Sequence, residues 1–196
     1  MHKGLQCVEY ERVSNCGGNS VIPFLASLAD VAWFGRLGLP LTEADQSGAR
    51  AYLHALGYAK DTAVTGVERW NEAERIAREP AWDQQWWTRE EVERERLMSL
   101  AVARLGRAVL LDRLGAATEL ASEMIHAAAA SAAERDGVTD AALVRAASGA
   151  AAMALHEAAL VPLAGQGSEH VFVRKYALFA AGRWPLGTIH GVFYLF

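Results

Sequence analysis

Polar and apolar positions along the chain recur mostly at helical spacing, and the punctuation between the runs is clear. Pro23 suits the first turn of a helix over residues 23–37 that stops at Gly38. Thr42, with Asp45 three residues on, caps a second helix that Gly57 ends. A third runs over 61–78 and closes at Pro80. Thr88 followed by Glu91 reads as a capping box opening a fourth helix to residue 114, with Gly115 as its stop. A fifth covers 116–135 and ends at Asp136-Gly137. A sixth runs from a Thr139 cap to Val161 before Pro162, and a seventh, capped by Ser168, spans 170–181. Short joints between these runs predict a compact, mainly α bundle of about seven helices.

The two ends follow a different pattern. Residues 5–13 alternate weakly and predict a strand. Residues 188–196 are rich in β-branched and aromatic side chains, with His190-Gly191 placed as a two-residue turn. The expectation is a C-terminal hairpin over 186–195, with Phe193 and Leu195 sharing the face that packs on helices and the N-terminal strand as a candidate neighbour. No repeat or linker divides the chain, so residues 1–196 read as one helical domain.

Composition supports this reading. Alanine, the best helix former, makes up roughly a fifth of the residues. The excess of arginine over lysine accompanies it and fits a GC-rich, bacterial-type genome. The net charge is −4, and its surplus lies wholly in residues 41–98, where eight cations face twelve anions. With no basic stripe, the chain lacks the electrostatic footprint of a nucleic-acid or anionic-membrane binder. Cys7 and Cys16 have neither zinc-ligand nor redox spacing. The N-terminus carries no apolar targeting stretch, and residues 141–164, though apolar, are mostly alanine and broken by Arg145, His156 and Glu157. The expected location is the cytoplasm.

Familiar catalytic signatures are absent: no phosphate loop, no dinucleotide glycine motif, no nucleophile elbow. His156-Glu157 begins like a zinc-protease motif, but Leu160 stands where the second histidine belongs. Four constellations remain. Glu119, Glu123 and His126 share one face of the fifth helix, and an antiparallel turn near Gly137 sets residue 119 level with His156. Four such ligands around one ion would suit a transition metal, in partial likeness to ferritin-like carboxylate bundles; as a plain surface stripe they need no cofactor. Trp82, Trp86 and Trp87 form an aromatic segment inside the acidic region, either an interaction surface or a filled corner between helices. Asn15-Cys16-Gly17-Gly18 precedes a helix and reads as an anion loop or a plain connector. His170, Arg174, Lys175 and Arg183 cluster near the C-terminus, where Arg183 suits the negative end of a helix.

Two functions follow from these residues. The leading one is a non-enzymatic helical interaction protein, an accessory, regulatory or immunity-like subunit that binds a protein partner or a second copy of itself, without cofactor. The alternative is a metal-binding or small-molecule-processing bundle built on Glu119, Glu123, His126 and His156.

Overall fold

A computed structural model describes Leu28 and residues 30–196. The predicted strand over 5–13, the Cys16 loop and most of the first turns of the helix at 23–37 lie outside the described residues. Six α-helices and three strands follow in the order α1 (Glu43–Ala55), β1 (Ala63–Gly66), α2 (Trp70–Ala77), α3 (Gln84–Leu105), α4 (Arg107–Arg135), α5 (Ala141–Leu163), α6 (Val171–Ala180), β2 (Pro185–Ile189) and β3 (Val192–Leu195). Helix takes up 63% of the described residues, about twice the usual share, so the chain is mainly α with a short C-terminal hairpin.

α5 is the spine. It lies against α3, α4 and α6, and its pairing with α4 is the most extensive in the fold. Alanines at positions 147, 151, 154 and 158 are all fully buried, and their small side chains let the neighbouring helices approach closely. By length and composition α5 could also cross a membrane. Here it is packed on three sides and buries a charged residue, Glu157. One packed core lies around Trp70, Trp184 and Phe196, another around Tyr52, Trp86, Phe172 and Phe193.

The hairpin forms at the expected turn. His190 and Gly191 both adopt positive φ, 49° and 77°, as a two-residue turn with the right twist requires. Phe193, Leu195 and Phe196 are fully buried. The third strand comes from the middle of the chain. β1 pairs parallel with β3, Ala63 opposite Val192 and Gly66 opposite Leu195, giving the order β1-β3-β2. Trp82 adds a bridge to Ile189 on the free edge of β2. Gly187 must be glycine: a Cβ there would lie 2.4 Å from the Trp82 indole nitrogen and 3.3 Å from the Trp86 ring.

Several boundaries differ from the sequence reading. The described part of the first expected helix is a run of turns, with Phe34 at φ 54°, so Phe34 enters the core without α-helix around it. Residues 63–66 leave the expected third helix to complete the sheet, and only 70–77 are helical. α3 starts at an Asp83 cap whose carboxylate accepts from the Gln85 N–H, while Thr88 lies inside the helix with its hydroxyl bonded back to the Gln84 carbonyl. The break between α3 and α4 falls at Gly106, φ 76°, not at Gly115, which α4 runs straight through. α6 is capped by His170, whose Nδ1 accepts from the Phe172 N–H, in place of Ser168.

Candidate functional site

The aromatic segment divides in two. Trp82 and Trp86 meet edge to face at 5.5 Å, closing over Gly187. Trp86 is buried, and its indole N–H donates to the Tyr52 hydroxyl at 2.7 Å. These two rings fill the corner between helix and sheet. Trp87, one residue further along α3, turns outward and is 51% exposed. It has company. Among the described residues seven large apolar side chains are exposed, and five of them lie between residues 87 and 111: Trp87, Val92 and Leu100 on α3, Val109 and Leu111 at the start of α4. The charges of α3 largely neutralise one another within the helix, Arg94 with Glu91 and Arg96 with Glu93.

The Glu/His quartet borders the α4–α5 groove. The hairpin register is within one residue of expectation, because His156 Nδ1 stands 3.4 Å from Thr118 Oγ1. One hydroxyl proton of Thr118 already goes to the Leu114 carbonyl, so His156 is the donor here. Burial holds the His156 pKa below its ordinary value; Glu157 opposes that and Arg94 adds to it. His126 instead faces Ser148, Nδ1 to Oγ 3.4 Å. The two imidazoles thus sit eight residues, or about 12 Å, apart along the groove. Glu119 and Glu123 are exposed while His156 is half-buried, so they occupy different environments. No three His, Cys, Asp or Glu side chains among the described residues group closely enough to hold an ion.

The C-terminal cations are committed to the fold. Arg174 pairs with Glu169, and His170 Nε2 donates to Glu93 at 2.7 Å. Arg183 does not face a helix C-terminus. It is fully buried and donates to the carbonyls of Arg36, Leu39 and Pro40 and to the Asp45 carboxylate. Asp45 also receives a bidentate contact from Arg36 and the Thr42 N–H and O–H. Burial raises the Asp45 pKa, but the Thr42 N–H and O–H bonds together with the Arg183 bond and charge outweigh it and bring the group down to about 2.

The strongest polar assembly is one that sequence reading passed over. Lys175 of α6 is buried between two buried carboxylates, Nζ to Glu90 Oε2 2.7 Å and to Glu157 Oε2 3.0 Å. Tyr52 donates to Glu90 at 2.6 Å, and Arg94 Nε donates to Glu157 at 2.9 Å. One chain of bonds therefore joins α1, α3, α5 and α6. Burial drives the Glu90 pKa upward, Lys175 resists, and Glu157 adds to the rise. Every polar end in this assembly meets another protein group, which suits an interlock better than a reactive centre. A signal for it existed: Lys175 shares a helix face with Phe172, Tyr176 and Phe179, an apolar stripe on which a lone charge needs partners.

Comparisons of the chain with family models, curated proteins and solved structures give no match. The class rests on architecture alone: among the described residues, six helices packed with a three-stranded sheet.

Proposed function

We propose that this chain is a helical interaction module that binds a protein partner through the exposed surface around Trp87 on α3, with Trp87 as its anchor. One observation carries the reading: Trp87, the largest of the apolar side chains exposed among the described residues, is 51% exposed on α3. A tryptophan held half in water on a rigid helix is the side chain most often found at the centre of protein contacts. The charges around Trp87 on α3 are paired within the helix, Arg94 with Glu91 and Arg96 with Glu93, so the partner's facing surface is mainly apolar. A transition-metal function would need Glu119, Glu123, His126 and His156 around one ion, and the groove spreads them along its length.

Immobilised chain tests the proposal, with Trp87→Glu as matched bait. Protein retained by the wild type should be lost with the variant, whose melting temperature should fall far less than that of Trp86→Ala, since half of the Trp87 residue is open to solvent. Equal retention on both baits would sink the reading. Trp86→Ala is the contrasting control: it removes a buried ring and the bond to Tyr52, so it should unfold the chain.

A further inference from the structure

β1 forms the open edge of the sheet. The order β1-β3-β2 gives it a single neighbour, while the Trp82 bridge to Ile189 covers part of the opposite edge. The Val67 N–H donates to the Leu195 carbonyl, so Ala63, Thr65 and Val67 turn their backbone groups toward β3. Alternation sends the N–H and C=O of Val64 and Gly66 to the outer side, where no group among the described residues bonds to them. Gly66 is exposed although it has no side chain, so water reaches its backbone directly. Such an edge holds donors and acceptors in a fixed row, and an extended strand is what satisfies them.

We propose that this edge pairs with β1 of a second copy of the chain, antiparallel about a two-fold axis through Thr65. In that register Val64 stands opposite Gly66 of the other copy. Such a pair exchanges two N–H···O=C bonds, and the axis makes the pair twice. Every outward backbone group of the two residues is then satisfied, in both copies.

The side chains agree with this register. Leu41 covers Gly66, 3.0 Å from where a Cβ would stand, and Leu41 and Val64 are both half-buried on the core side of the sheet. Val64 of one copy therefore meets Leu41 of the other above the glycine. On the outer face exposed Thr65 meets its own counterpart, a favourable cross-strand pair. Extended backbone continues to Arg69, at φ −141° and ψ 147°, which brings that residue level with Asp61 of the other copy. Both are exposed, and neither has an ion pair among the described residues. Exposed Lys60 stands diagonal to Glu68 of the other copy, so no like charges oppose each other across the axis. An unrelated extended peptide would satisfy the backbone but not these pairs. An edge of four residues makes a weak dimer. β1 and α3 are different elements, so this pairing and the binding at Trp87 can each fail without the other.

Sedimentation equilibrium of the full chain from about 10 to 500 μM tests the pairing. The wild-type mass should rise from monomer toward dimer over that range. Thr65→Lys and Thr65→Asp each set like charges face to face across the axis and should weaken association at least about tenfold. An equal mixture of the two should dimerise at least as well as the wild type. Both variants should melt close to the wild type, since Thr65 is exposed. Thr65→Cys should cross-link on mild oxidation, because residues opposed in this way have Cα atoms about 4.5 Å apart. Ala63→Cys, out of register with its own counterpart, should cross-link no more than the wild-type chain with its Cys7 and Cys16. A wild type that stays monomeric throughout, a mixture no tighter than its components, or Ala63→Cys cross-linking as readily as Thr65→Cys would each overturn the proposal.

Discussion

Replacing Lys175 with methionine keeps the length and volume of the side chain and deletes only its charge and donors. The ammonium is 2.7 Å from Glu90 and 3.0 Å from Glu157, and all three side chains are nearly out of contact with water. Removing one member of such a buried set leaves charge without compensation, which costs about 3–5 kcal/mol. Glu157 keeps Arg94, so the penalty falls mainly on Glu90, left with the Tyr52 hydroxyl. Against a total stability of about 5–15 kcal/mol, that is a large share. In urea, with a slope near 2 kcal/mol/M, a 4 kcal/mol loss lowers the midpoint by about 2 M. The pH dependence has a definite sign. Burial already raises the Glu90 pKa above its ordinary value, and losing Lys175 raises it further. A carboxyl group raised in the folded state favours folding while protonated and loses that advantage as pH rises through its folded pKa. The deficit of Lys175→Met should therefore be larger at pH 7 than at pH 5. A loss under about 1 kcal/mol, or a deficit that grows as pH falls, would show that the network is not the interlock described here.

Asp45 should dominate one part of the acid limb. Its pKa of about 2, against an ordinary 3.8, corresponds to roughly 2 kcal/mol of stability, present above pH 3.8 and lost as pH falls toward 2; Asp45→Asn should flatten that stretch of the stability–pH curve. The glycines on either side of α4's start should respond oppositely to alanine. Gly106→Ala forces a Cβ into φ 76° and should destabilise by about 1 kcal/mol, whereas Gly115→Ala, inside the helix with open space around it, should stabilise by a similar amount in chemical denaturation. Phe193→Ala empties the contact between the sheet and Tyr52 and should cost about 3–5 kcal/mol by the same assay.

Some features decided by local chemistry could be read directly from residue order, although the Thr88 and Ser168 caps could not. The Thr42–Asp45 capping box forms with both of its bonds, and His190-Gly191 turns the hairpin because those two positions accept positive φ. Gly106 and Gly115 look alike in sequence; which one breaks the helix depends on how α4 must lie along α5, a long-range condition. Residues 63–66 have a partner 129 positions away in β3, and no local pattern announces a parallel pairing of that span. In α3, where charges occur on every side, Glu90 is distinguished only by sharing the buried stripe of Trp86, Leu97 and Ala101. On α5 it is Glu157 that is fully buried, while its neighbour His156 is only half-buried. The choice between neighbours turns on about 100° of helix rotation, finer than the pattern resolves.

The central claim is that the surface around Trp87 on α3 binds a protein partner. Hydroxyl-radical footprinting of the chain, free and with its retained partner bound, tests this most directly. Oxidation of Trp87 should fall on binding, while Met153, similarly open to solvent on α5, keeps its free-state reactivity. Unchanged oxidation of Trp87 in the complex would contradict the account.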